Sequence, residues 1–312
     1  MARGRGEGVM DMEELRLGMV GFSAGNGHPY SWSAIFNGYE PDAMRDCGFP
    51  AIPAYLAEHR FPEDAIEGAR VCCIWCPDEA RARHVAEASR IKQVCARPED
   101  LIGQVDAVLL ARDDVESPER RALIDLFLDA GLPLFVDKPL ALSRHEAQAL
   151  LDRQQWPGQI FSGSALGHAP ELDELRGDPL LDEVHYLEGV APKSWMHYAV
   201  HAIDPALSLI GPQGDVEHAV VSRAAHSHVV TVRWASGLQA TFTTLTDTPT
   251  RILLRLHGPG GPRELRFLDT FGAFRASLLA YVEQVRQRCP HPSQALLLPV
   301  VEVIEHGLAE TA

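Results

Sequence analysis

Leu132-Pro-Leu-Phe-Val-Asp-Lys-Pro-Leu-Ala-Leu-Ser143 is the stretch that decides the fold. Leu134, Phe135 and Val136 form the short apolar run that a strand buried on both faces needs. The run stops at the charged pair Asp137-Lys138, and Pro139, which has no N–H, ends the ladder. Ligands of an open α/β sheet bind just beyond the carboxyl ends of its strands, so Lys138 stands at the edge of such a crevice. Lysine is scarce: Lys92, Lys138 and Lys193 are the only ones among 28 basic residues. An ammonium with a tunable pKa is one reading of Lys138; a solvated strand-end lysine is the other.

Upstream of this stretch, buried-strand runs alternate with helices. Residues 105–111 form one such run, ending at Arg112-Asp113-Asp114. Ser117-Pro118 then reads as an N-cap with proline at the first helical position. The helix carries Leu123, Phe127 and Leu128 on one face and stops at Gly131. Residues 69–75 are a second strand, followed by a helix with acids in its first turn, and residues 91–94 are a short third. Residues 15–22 give the first central strand. It runs into a small-residue loop, 23–32, ahead of a helix near 31–38.

Strand, glycine loop and helix in succession are how a helix N-terminus is aimed at a phosphate. Counted from Gly21, however, the G-x-G-x-x-G positions fall on Ser23 and Asn26, while the extra glycines are Gly25 and Gly27. The loop reads equally as a phosphate cradle or as an ordinary tight turn. Residues 40–70 are an insertion that either caps the crevice or covers a subunit contact. The alternation predicts a parallel sheet with helices on both faces.

Downstream the texture changes. A helix over 143–155, a short strand over 159–164, a helix over 168–176 and a strand over 182–190 precede the segment 194–210. Alternating runs then cover 218–223, 228–234, 238–245, 251–257 and 264–268, the pattern of an antiparallel sheet, and helices over 271–287 and 295–310 follow. The expected fold is α/β: a parallel-sheet domain over 15–145 and an α+β domain with an open, mainly antiparallel sheet over 146–312. Residues 1–14 are expected to be a disordered leader.

With 312 residues, 46% of them hydrophobic, the chain can bury a substantial core in about two domains. A net charge of -15 argues against nucleic acid and against an anionic membrane surface. No apolar run approaches the ~20 residues of a membrane span, and no signal peptide opens the chain. A cytoplasmic protein is expected. Six cysteines do not read as a disulfide framework at this length. Cys73 and Cys76 have redox-motif spacing but lie on a strand, where three steps cover ~10 Å, so reduced thiols are expected.

His197 and His201, four apart in a predicted helix, share a face, with Asp204 close to the same side. Two imidazoles and a carboxylate suit either general acid/base work or half of a metal site. Proton transfer is the better fit, and no metal is expected.

Taken together, the chain resembles the glucose–fructose oxidoreductase, inositol dehydrogenase and rhizopine-catabolism (Gfo/Idh/MocA) family from about residue 15 onward. Residues 105–111 followed by 132–143 are similar to its E-K-P signature, with Asp137 in place of Glu. His197-x3-His201-x2-Asp204 resembles its D-x3-H-x2-D helix, with His197 standing where the Asp usually is. The ending, a helix over 278–287 followed by Pro292-Ser-Gln-Ala-Leu296, resembles the family's as well.

The resemblance implies a Rossmann-type domain holding NAD or NADP, a substrate and oligomerisation domain, and a homodimer or homotetramer. It implies hydride transfer between nicotinamide and a sugar, polyol or sugar-like alcohol or ketone. Lys138 would polarise the substrate oxygen, His201 would exchange its proton, and His197 would position the substrate. Cofactor contacts would come from Gly21, Ser23, Asn26, Gly27, Asp78, Ala111, Arg112 and Asp137. Substrate contacts would come from His28, Lys193, Trp195 and Asp204. At the end of the second strand Asp78 favours NAD, whereas Arg81 or Arg83 would receive the 2′-phosphate of NADP. The rearranged loop and His197 leave room for a catalytically silent dinucleotide-binding relative. A third reading is an enzyme that uses NAD transiently for elimination or glycoside cleavage.

Overall fold

The computed structural model describes residues 13–309, so the expected leader falls outside them except for Glu13 and Glu14. The first sheet contains β1 (Leu15–Val20), β2 (Ala69–Trp75), β3 (Gln93–Val94), β4 (Ala107–Leu110), β5 (Leu134–Val136) and β6 (Ile160–Phe161). Its order is β3-β2-β1-β4-β5-β6, and every pairing is parallel. The order reverses between β1 and β4, which opens a crevice at their carboxyl ends. β6 carries this sheet past residue 145, where the sequence placed the domain boundary.

Helices α1 (His28–Asn37), α2 (Pro41–Arg45), α3 (Ala51–Leu56), α4 (Glu79–Ala88), α5 (Pro118–Asp129) and α6 (Arg144–Leu151) lie along the same part of the chain. β4 and β5 are buried along their whole length, as expected of strands covered on both faces. Ser117 and Ser143 cap α5 and α6 by accepting the N–H of Arg120 and of Glu146. The insertion, α2 and α3 with their loops, wraps α1: Ile66 donates its N–H to the Ile35 carbonyl. Its Phe49 ring lies 6.1 Å from Phe22 in the loop after β1. That places the insertion on the rim of the crevice.

Two 3-10 turns, Ala165–His168 and Pro170–Glu174, replace the single helix expected over 168–176, because Pro170 has no N–H to continue a ladder. The second sheet follows. Its strands are β7 (Tyr186–Pro192), β8 (Val216–Arg223), β9 (Ser227–Trp234), β10 (Gln239–Leu245), β11 (Leu253–Gly258) and β12 (Gly261–Arg266), in the order β12-β11-β7-β10-β9-β8. The sheet is mixed, because β7 enters its centre and pairs parallel with β10 while the other pairings are antiparallel. Alternation marks a half-buried strand but says nothing about its partner's direction.

Between β7 and β8 run α7 (Trp195–Tyr198) and α8 (Val200–Ile210). Ile203, Ala206 and Leu207 of α8 share a core with Val230, Val232, Phe242, Leu254 and Leu256 of the sheet. Helix α9 (Thr270–Gln287) then returns to the first sheet. Tyr281 donates its hydroxyl to the Val108 carbonyl at 3.0 Å, and Gln284 donates to the carbonyls of Gly158 and Ile160. Helix α10 (Leu297–Leu308) ends the described chain, packed on α6 and α8. All six cysteines are free thiols. Among the described residues, no helix is long and apolar enough to cross a membrane.

Candidate active site

The Asp137–Leu140 turn, just beyond β5, is clamped from beneath by one side chain. Arg120, on α5 and 2% exposed, donates to the carbonyls of Arg112, Leu140, Asp137 and Pro139 at 2.9, 3.2, 2.7 and 2.8 Å. Burial pulls its pKa down to about 10, which leaves it a cation at neutral pH. Four carbonyls around a planar fork hold the backbone that carries Lys138 in one position.

The Asp137 carboxylate points inward and is satisfied there. It accepts from Asn26 Nδ2 at 2.8 Å, His28 Nδ1 at 2.6 Å and the Lys138 N–H at 2.8 Å. Lys138 Nζ lies 3.2 Å from Asp113 Oδ2, and Asp113 Oδ1 accepts the Ser23 hydroxyl at 2.6 Å. One carboxylate therefore ties the lysine to the loop after β1. Burial pushes the Asp113 carboxyl up, but the Lys138 ammonium, the Ser23 hydroxyl and His28 together outweigh it and the net shift is downward.

His201, in the first turn of α8, faces Lys138 across a cavity of about 10 Å³ that His28 and Asp137 also line, space for about one water. Its Nδ1 is 2.8 Å from Ser164 Oγ; Nε2 has no partner among the described residues. Burial pushes the imidazole well below its ordinary pKa, and the Lys138 charge adds to this, so His201 is neutral at physiological pH. Ser164 is itself fixed. Its N–H donates to Asp204 Oδ2 at 2.6 Å, and a Cβ on Gly163, whose φ is +144°, would lie 2.8 Å from that oxygen. Only glycine lets the loop close so tightly over the carboxylate. Burial raises Asp204 to about 7.

Tyr198 closes the arrangement. Its ring lies 5.1 Å from the His201 ring, 5.8 Å from Lys138 Nζ and 4.2 Å from Lys193 Nζ. Of the residues singled out in the sequence, Lys138, His201, His28, Asp137 and Lys193 thus gather on one locus.

Others are held elsewhere. His197 is half-buried and bonds Ser194 Oγ at 3.0 Å; among the described residues it makes no bond to His201, and Ala199 separates α7 from α8. Trp195 is in the core beneath α10, donating to the Ile304 carbonyl, and Asp204 sits behind the Ser164 loop. Arg112 is buried against Asp114 and Glu119. Ala111 is fully buried, its N–H bonded to the Val20 carbonyl. Arg83 pairs with Glu79, and Arg81 lies 5.0 Å from the Phe22 ring centroid.

Arg120, Asp113, Ser164 and Tyr198 escaped the sequence reading. Arg120 alone carried a visible signal: it stands three and seven residues before Leu123 and Phe127, on the apolar stripe of its helix.

A dinucleotide pyrophosphate at the β1–α1 loop needs free N–H donors. The first turn of α1 offers none. His28 N–H is taken by Asn26 Oδ1, Pro29 has none, and Tyr30 and Ser31 donate to the Gly27 carbonyl. A Cβ on Gly27 would meet Ile52 and Phe49 of the insertion, so that glycine admits protein. The loop tip differs. Ala24 and Gly25 are exposed, their N–H groups have no acceptor among the described residues, and the Cβ position of Gly25, at φ +78°, is open. The residues present fit an anion laid over the tip.

Residues 47–162 match a family model, GFO_IDH_MocA, described as an oxidoreductase family with an NAD-binding Rossmann fold. The match covers the segment from the insertion to β6 and makes that segment similar to the family. Solved structures resemble the whole chain. Myo-inositol 2-dehydrogenase from Lactobacillus plantarum superposes with a TM-score of 0.68 at 13% identity, covering 95% of each chain. UDP-N-acetylglucosamine 3-dehydrogenase from Acidithiobacillus ferrooxidans gives 0.65 at 16%, covering 94% of this chain and 97% of that one. GenD2 from gentamicin A biosynthesis, in complex with NAD, gives 0.67 at 15%, covering 98% and 96%. At these identities the likeness is one of fold. No curated protein is a significant match in sequence. The matched residues include β2 to β6 of the first sheet. Among the described residues, no group of three or more His, Cys, Asp or Glu is placed to hold a metal.

Proposed function

We propose that the protein is an NAD-dependent oxidoreductase acting on a sugar, polyol or sugar-like alcohol or ketone. The convergence of Lys138 and a neutral His201 on one cavity carries this reading. Oxidising a carbinol requires removal of the hydroxyl proton together with the hydride. Lys138 faces the oxygen and stabilises the charge that develops on it. His201 accepts the proton at Nε2, while Ser164 holds Nδ1. The nicotinamide, when bound, supplies the hydride chemistry. Ser23, Ala24 and Gly25 would hold the pyrophosphate. Asp78 spends one carboxylate oxygen capping α4 through the Arg81 N–H, and the other is available for a ribose hydroxyl, which favours NAD.

The committed N–H groups at the start of α1 favour a second reading, a relative that keeps the fold without turnover. Titration with NADH, followed by nicotinamide fluorescence, and a panel of sugars and cyclitols scored for NADH formation separate the two. Binding with turnover is expected. Binding without turnover selects the second reading, and no binding removes both.

A further inference from the structure

We propose that the substrate of this site carries an anionic substituent, a carboxylate or a phosphate, which Lys193 receives beside Tyr198. The inference rests on the redox reading above for which end of the ligand reacts. The placement of two of the chain's three lysines suggests it. Lys138 and Lys193 stand 5.8 and 4.2 Å from the same Tyr198 ring, in a protein of net charge -15 that otherwise uses arginine.

Their surroundings differ. Lys138 is buried and has a counter-ion in Asp113. Lys193 is exposed, donates to the Tyr198 hydroxyl and is in no ion pair among the described residues. Its backbone is also unusual. Lys193 has φ +64°, a left-handed conformation that a long L side chain rarely adopts. It is pinned there by its N–H, which donates to the Leu245 carbonyl at 2.8 Å. Backbone strain of this kind persists where neighbouring structure enforces it, and it clusters at ligand clamps. Here it turns an ammonium from the end of β7 toward the ring that also contacts Lys138 and His201.

The two carboxylates at this locus are already partnered. Asp113 and Asp137 are occupied by Lys138 and by His28 with Asn26, and His201 is neutral. Lys193 is left without a carboxylate partner among the described residues, at the exposed edge. A neutral polyol gives it nothing to neutralise, whereas a uronic acid, a sugar phosphate or a nucleotide-linked sugar does.

The test is calorimetric binding at low salt, in the presence of NAD, of glucuronate, glucose 1-phosphate and UDP-glucose against glucose and myo-inositol. Wild type, Lys193→Met and Lys193→Arg are compared, and NADH formation is followed in parallel. At least one anionic ligand is expected to bind more tightly than the neutral pair. Lys193→Met should weaken it by on the order of 10- to 100-fold, Lys193→Arg by a few-fold at most, and neutral ligands should be unaffected by either. Which anionic ligand responds identifies carboxylate or phosphate. Equal binding of neutral and anionic ligands, failure of every anionic ligand to bind, or indifference to Lys193→Met overturns the proposal. Lys193-dependent binding without NADH formation from any ligand keeps it and removes the redox reading instead.

Discussion

Ser164 and His201 meet at 2.8 Å from either side of the junction between the two sheets. The serine follows β6 and the histidine opens α8. Nδ1 is thereby occupied and Nε2 is the nitrogen left for substrate. Ser164→Ala is expected to lower kcat by about 10- to 100-fold, the loss of one hydrogen bond that orients a reacting group. KM and NADH affinity should stay within a few-fold, and Ser164→Thr should restore part of the rate. A KM effect larger than the kcat effect would place Ser164 on the substrate.

Lys138→Ala should abolish turnover, by about 10³-fold or more, because the charge developing on the substrate oxygen loses its cation. NADH affinity should stay within a few-fold, since the ammonium is not among the groups assigned to the pyrophosphate. Unchanged turnover would remove Lys138 from the mechanism.

The neutral state of His201 fixes the sign of a pH effect. Burial first, then Lys138, hold its pKa well below 6.5, so the base form persists into mildly acidic solution. For alcohol oxidation, kcat/KM should remain flat down through pH 6.5, with its acid limb below that value. A limb at 6.5 to 7 in the pH–rate profile would show that His201 titrates as an ordinary imidazole.

Asp204 gives a stability prediction. Its folded pKa of about 7 lies above the ordinary carboxyl value of 3.8, so the folded state holds a proton that the unfolded state releases between those limits. This contribution is complete below about pH 4 and is lost as pH rises through 7. Asp204→Asn keeps an acceptor for the Ser164 N–H and never ionises. The variant should match wild type near pH 4 and exceed it near pH 8, by at most about 4 kcal/mol at 1.36 kcal/mol per pKa unit. Urea melts of both proteins across this range measure the difference, and a constant offset would count against the burial argument.

Arg120→Met should cost about 3–5 kcal/mol, because it strands four carbonyls beside Lys138 that the guanidinium now satisfies. Chemical denaturation measures it, and a cost below 1 kcal/mol would mean that water can take over the role.

The first sheet was legible because its signals are local. Apolar runs such as 107–110 and 134–136 need helices on both faces, and a proline after Lys138 marks a strand end wherever it occurs. The site was legible only in part. Lys138 and His201 stood out by residue type and setting. Ser164 and Tyr198 did not, since a serine gains a role here only through a histidine 37 positions away. His197 bonds Ser194 rather than His201, and the break between α7 and α8 at Ala199 left no mark that spacing by four could reveal. Parallel pairing of β7 with β10 was equally invisible, because alternation looks the same in either direction.

Helix α9 sets the order in which this molecule can be completed. Tyr281 and Gln284 bond Val108, Gly158 and Ile160, so the half of the chain made first by the ribosome is finished last. An emerging chain can assemble strands early, but their covering layer arrives only after the whole second sheet has been synthesised. The two halves therefore mature together, and neither is a module that could be cut away and expected to stand.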